Sequence, residues 1–169
     1  AGVAQKARDA SGFGVSTGPV SVDFEAVMSQ VEAAIATIAP NDSVERYTAL
    51  GVDVIKGWAQ LTSPFEVQVN EQSFSSRSII MASGASPIVP DMASAITVPV
   101  LTSDTVWSLQ ALPQRLLVVG GGAIGCEMAQ AFQRLGSQVV LVEAMSRLVA
   151  REEPEVSGRL EACLLYTSD

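Results

Sequence analysis

The chain has 169 residues, 48% of them apolar and 17% charged, with a formal net charge of −8. That length admits one domain or parts of two, and that composition supports a buried core over wholesale disorder. Ten Lys and Arg against 18 Asp and Glu leave no basic footprint for nucleic acid or an anionic membrane surface, and the lack of histidine removes Ser-His-Asp triads, Cys-His dyads and His-ligated metals from this chain.

Gly12, Gly14, Gly18 and Pro19 predict a loop over 11–20. Asp23 then stands as the cap of a helix whose apolar residues, Phe24, Val27, Met28, Val31, Ile35 and Ile38, recur every three or four positions; Pro40 ends it. Residues 41–43 open a shorter helix, with Asp42 and Glu45 in capping-box relation and Gly51 just past its end. Three strands are expected next, Val52–Ile55, Phe65–Val69 and Ser78–Ala82, with turns at Thr62–Pro64 and Asn70–Gln72, forming a small antiparallel meander. Residues 87–99, punctuated by Pro87, Pro90 and Pro99, read as a linker, and Thr102–Leu109 as one or two helical turns. No apolar run approaches the ~20 residues of a spanning helix. No basic region followed by an apolar core marks a signal peptide, so a cytoplasmic location is the default expectation. Cys126 and Cys163 lack CxxC spacing, so neither a zinc ribbon nor a thioredoxin-type motif is expected.

The strongest chemical signal begins at Leu116. An apolar strand, Leu116–Val119, runs into Gly120, Gly121, Gly122, Ala123, Ile124, Gly125, Cys126 and Glu127. A helical pattern follows through Ile124, Met128, Phe132 and Leu135, and Gly136 stops it. A second apolar strand, Val139–Val142, then ends in Glu143. This is the order of a dinucleotide-binding βαβ unit, in the ~30 residues such a unit takes. In that reading Gly120 permits the tight turn, Gly122 leaves room for a pyrophosphate and Gly125 lets the helix pack on the strand. The helix N-terminus binds the pyrophosphate, and Glu143 accepts hydrogen bonds from a ribose diol while repelling a 2′-phosphate, which favours NAD over NADP. Arg147, four residues on, weakens that preference. Cys126 reads as a small residue packed on the sheet, although a helix dipole there could activate a thiol.

With these motifs in hand, residues 13–160 resemble the pyridine nucleotide–disulfide oxidoreductases, the flavoprotein family of lipoamide dehydrogenase, glutathione reductase and mercuric reductase. Residues 79–87, Ile-Ile-Met-Ala-Ser-Gly-Ala-Ser-Pro, resemble the strand and ATG motif closing the family's FAD domain, with Ser83 in the usual Thr position. Gly57-Trp58-Ala59 resembles the strand whose backbone meets the FAD adenine, and 120–127 resembles the family's GGGxIGxE. The resemblance implies FAD contacts at Ala59, Ala82, Ser83 and Gly84, NAD(P)H contacts at Gly120–Glu127 and Glu143, and a family acid at Glu127 near the nicotinamide–flavin junction. Residues 42–52 and 101–105 are most similar to the mercuric reductase branch.

The implied fold is α/β: a partial FAD-binding domain with a three-stranded antiparallel meander over 1–97, then the start of a Rossmann-type NAD(P)-binding domain over 98–162. Residues 163–169, Cys-Leu-Leu-Tyr-Thr-Ser-Asp, resemble a translated sequencing adapter and are set apart as a scar. The family's amino-terminal GxGxxG, its redox CxxxxC and its dimerisation domain are not in this sequence. The expectation is therefore a fragment, inactive alone, of an FAD-dependent NAD(P)H:disulfide oxidoreductase, with no catalytic residue and no metal site of its own. Its parent would act as a homodimer on a small-molecule or metal-ion substrate. The alternatives are a flavin-dependent NAD(P)H reductase lacking the disulfide, and a non-catalytic nucleotide-binding remnant.

Overall fold

The computed structural model describes residues 1–91 and 97–166, so the linker reading of 87–99 and the tail reading of 163–169 lie in part outside the described residues. In chain order the elements are α1 (Gly2–Asp9), α2 (Phe24–Ile38), α3 (Val44–Ala49), β1 (Ala59–Ser63), β2 (Glu66–Val69), β3 (Gln72–Ser75), β4 (Arg115–Val119), α4 (Ala123–Leu135), β5 (Gln138–Val142) and α5 (Pro154–Tyr166). Tight 3-10 turns occupy Ala10–Phe13, Ala39–Asp42 and Val106–Ser108. The class is mixed α/β. The chain divides into two compact units, Ala1–Val31 with Val98–Asp169, and Glu32–Thr97.

In the first unit β4 and β5 pair in parallel, Leu116 opposite Val139 and Val118 opposite Leu141, with α4 as the crossover between them. The core is small: Phe24, Phe132 and Leu135 are buried together, with Val27, Met28, Leu109, Leu112, Leu116 and Val139 packed around them. The rings of Phe24 and Phe132 meet at 6.3 Å between centroids. The start of the apolar stripe read on α2, Phe24, Val27 and Met28, thus packs in this core, whereas Ile35 and Ile38 farther along it are exposed. Gly136 ends α4 in the left-handed region, and Ser137 donates to the Pro113 carbonyl at 2.6 Å, locking the entry to β5.

The other face of this two-stranded sheet is bare. Leu117, Val119, Val140 and Val142 stand in register on it, and all four are exposed. A continuous apolar face beside open strand edges favours self-association. Sedimentation of the purified chain is expected to show association that grows with concentration; a single monomeric species throughout would contradict this.

The second unit holds the three-stranded antiparallel sheet in the order β1-β2-β3. The meander is as expected, but its members differ. Val52–Ile55 and residues 78–82 form no strand, and Ile80 is 90% exposed in the segment that looked buried. The outer strands are instead the more polar Ala59–Ser63 and Gln72–Ser75. The turns decide this. Pro64 and Phe65 turn the chain between β1 and β2, and Asn70, at φ 56°, reverses it into β3, so strand pairing follows turn chemistry over apolar runs.

Two helix starts also resolve. Asp23 caps α2 through its Oδ1, which accepts from the Ala26 N–H at 3.0 Å. For α3 the cap is Ser43, whose Oγ accepts from the Arg46 N–H; Asp42 lies in the preceding 3-10 turn, so the expected Asp42–Glu45 capping box does not form. The loop expected over 11–20 begins with the last turn of the Ala10–Phe13 helix. At the far end α5 continues to Tyr166, into the tail set apart from sequence.

Candidate functional site

The glycine loop leaves β4 at Gly120, whose φ of +107° is a conformation only glycine holds without strain. Its N–H donates to the Val142 carbonyl at 2.8 Å, tying the loop to the end of β5. One turn later α4 passes so close that a Cβ on Gly125 would collide with the Gly120 carbonyl oxygen. Gly125 is therefore the helix–strand packing position read from the motif. Gly122, the residue before α4, has the opposite surroundings: extended backbone, with nothing within 4 Å of where a Cβ would sit.

The first intrahelical bond at this end runs from the Cys126 N–H to the Gly122 carbonyl. The N–H groups of Ala123, Ile124 and Gly125 precede it, so helix geometry leaves them without intrahelical acceptors. Open space above Gly122, orphan donors and a positive helix end are the features of an anion site. Ile124, in the first turn of α4, and Glu127, at the start of its second, are exposed.

Glu143, immediately after β5, reaches back to this loop. Its Oε2 accepts from the Gly121 N–H at 2.6 Å and its Oε1 from the Met145 N–H at 2.8 Å. The backbone donors of Met145, Gly121 and Ala144 hold its carboxyl below the ordinary glutamate range, against a smaller opposing effect of desolvation. A lowered folded pKa means the carboxylate's stabilising contribution is full above the unfolded value and is lost as pH falls through the folded one. Acid titration is therefore expected to shift the Gly121 and Met145 amide resonances together, below the pH at which exposed glutamates titrate. Independent titration, or none, would contradict this.

Gly121 has a role the sequence reading missed. A Cβ there would lie 2.5 Å from Leu148 Cδ2 and 3.1 Å from Glu143 Cβ. Its carbonyl accepts from the Val149 N–H at 2.7 Å. The available signal was a glycine between Gly120 and Gly122, at the position the GxGxxG spacing leaves free; its cause lies in the segment after β5.

Cys126 is 3% exposed, and its Sγ lies 3.4 Å from the Gly121 carbonyl oxygen. Burial first, then the charges of Glu143 and Glu127, pushes its thiol above the ordinary value. The packed-residue reading holds, and burial opposes activation of this thiol. Alkylation of Cys126 is expected to be slow at neutral pH in the folded chain and fast after denaturation; rapid native labelling of Cys126 itself, mapped apart from the exposed Cys163, would contradict the burial.

Arg147 is committed elsewhere. Its Nη1 and Nη2 donate to the carbonyls of Glu152 and Ala150 at 2.7 and 2.8 Å.

The expected FAD residues lie in the other unit. Ala59 opens β1 opposite Val69. Ala82, Ser83 and Gly84 lie in an irregular, exposed stretch, and Trp58 is 91% exposed. Among the described residues no hydrogen bond joins Ala59 to residues 82–84. Among them also, no group of three or more acidic or cysteine side chains could hold a metal, and no helix is long and apolar enough to cross a membrane.

Comparison with known proteins gives a consistent result. Residues 6–166 match the family profile described as pyridine nucleotide-disulphide oxidoreductase. A mercuric reductase of Lysinibacillus sphaericus is 31% identical over 153 residues, covering 90% of this chain and 28% of the relative. A chloroplastic dihydrolipoyl dehydrogenase 2 of Arabidopsis thaliana is 30% identical over 155 residues, covering 92% of this chain and 27% of the relative. The HOCl-induced flavoprotein disulfide reductase RclA from Escherichia coli superposes with a TM-score of 0.69 at 26% identity, over 86% of this chain and 34% of that one. The chain thus spans less than a third of the length of these two curated relatives.

Proposed function

The chain belongs to the pyridine nucleotide-disulphide oxidoreductase family, and on that premise we propose that it supplies the pyridine-nucleotide-binding entry of an FAD-dependent NAD(P)H:disulfide oxidoreductase. One observation carries the reading: the open space over Gly122 lies at the N-terminus of α4, and Glu143 reaches the same loop through the Gly121 N–H. These residues fit a dinucleotide. The N–H groups of residues 123–125 would hold the pyrophosphate. The Glu143 oxygens, each with a lone pair beyond its backbone bond, would take the ribose diol. In this reading βαβ is the start of a Rossmann-type domain over 98–162, and residues 1–97 belong to the FAD domain.

Bound NAD(P)H would supply a hydride; this chain's residues would bind and orient it, with Glu127 of α4 as the family acid near the nicotinamide. NAD is preferred, because the Glu143 carboxylate repels a 2′-phosphate and Arg147, four residues on, already serves two backbone carbonyls. The FAD contacts at Ala59, Ala82, Ser83 and Gly84 rest on the family alone: residues 82–84 are irregular and exposed and form no cradle with Ala59. The mercuric reductase match supports that branch and a small-molecule or metal-ion substrate. A cytoplasmic, homodimeric parent completes the reading.

Fluorescence titration at low chain concentration tests it. NADH is expected to bind more tightly than NADPH, by about tenfold or more, the effect of a 2′-phosphate set against a fixed carboxylate. Failure to bind either nucleotide, or equal affinity for both, would overturn it.

A further inference from the structure

Gly121 is gripped on both of its backbone polar groups by the chain that leaves β5. Glu143 takes its N–H at 2.6 Å and Val149 donates to its carbonyl at 2.7 Å, while the Leu148 side chain fills the place of its missing Cβ. The gripping segment is itself held from below. Leu148 donates its N–H to Glu161 Oε1 at 3.0 Å, and its carbonyl accepts from the Ser157 hydroxyl. Both partners project from α5, one turn apart, and Ser157 is 1% exposed. Val149, a β-branched residue, is held at φ 42°, where such residues are strained. Its carbonyl is tied to the Glu152 N–H at 2.8 Å, and Arg147 clamps the same turn. Strain of this kind persists only where the surroundings over-determine it.

We infer that residues 147–161 form a strap in which Ser157 and Glu161 are positioning residues for nucleotide selection: through Leu148 and Val149 they fix Gly121, and through Gly121 they fix the Glu143 carboxylate that faces the ribose. The inference rests on the nucleotide reading above. Ser157 and Glu161 act through their bonds to Leu148 rather than on the nucleotide itself. The strap acts by denying the Glu143 carboxylate other orientations, so its loss lowers discrimination before it lowers binding.

The test compares Ser157→Ala, Glu161→Ala and Glu161→Gln in the full chain, with two readouts. One is the ratio of NADPH to NADH dissociation constants; the other is hydrogen exchange at the Gly121 amide. Both alanine variants are expected to shrink the ratio about fivefold, the effect of one hydrogen bond, and to speed Gly121 exchange. Glu161→Gln keeps a carbonyl acceptor for the Leu148 N–H and is expected to restore both. Alanine variants that melt earlier yet keep the ratio would show a merely structural strap and overturn the inference. If the unsubstituted chain binds neither nucleotide, the nucleotide reading falls and this inference with it; if it binds NADH selectively and the ratio ignores Glu161, only this inference falls.

Discussion

Gly122→Ala is expected to cost about 1 kcal/mol or less, because Ala is a poorer helix N-cap than Gly, and to lose NADH binding by tenfold or more. Its backbone is extended and nothing lies within 4 Å of the new carbon, so the change meets no steric obstacle within the protein. In the proposed reading, that carbon would meet the nucleotide lying on the loop. Gly125→Ala adds the same single carbon with the opposite result. Here the new atom strikes the Gly120 carbonyl, whose peptide plane carries the Gly121 N–H and cannot turn aside without disturbing the Gly121–Glu143 bond. Overpacking of this sort costs roughly 1–3 kcal/mol, and both melting temperature and NADH binding are expected to fall. The pair separates a glycine kept for the fold from one kept for a ligand. A Gly122→Ala chain that binds NADH like its parent would remove the argument for a nucleotide.

The second large effect is at Glu143. Glu143→Gln keeps one acceptor but places an amide NH2 against one of two backbone donors, Gly121 or Met145. It also removes the charge opposed to a 2′-phosphate. NADH affinity is expected to fall about tenfold while NADPH affinity holds or rises, so that the preference collapses. The pH-dependent shift of the Gly121 and Met145 amides should vanish in the same variant. Parallel loss of affinity for both nucleotides, with the preference intact, would mean that Glu143 only props up the loop.

The sequence made some of this legible for identifiable reasons. The run from β4 through α4 to β5 declares itself because each step has local chemistry: an apolar strand, a glycine with φ of +107°, a helix stop at Gly136 and a second apolar strand. The α2 stripe and its Asp23 cap are local in the same way. The meander strands are not. Leu61 and Phe74 are the only large apolar residues in β1 and β3, so apolar runs pointed to Val52–Ile55 and Ser78–Ala82. Pairing to β2 and the left-handed Asn70 outweighed propensity. At the site, the glycines named from the motif proved to have distinct surroundings, whereas the purpose of Gly121 depends on Leu148, Ser157 and Glu161, which no spacing rule connects to it.

The central claim is that the first turn of α4, together with Glu143, binds a pyridine nucleotide. The most direct measurement is a backbone amide NMR titration of the chain with NADH. The account predicts saturable shifts centred on Gly122 to Gly125, extending to Gly121 and Met145 through the Glu143 carboxylate, with the β1-β2-β3 unit unmoved. Saturable shifts elsewhere with residues 121–125 silent, or no shifts at all, would contradict it.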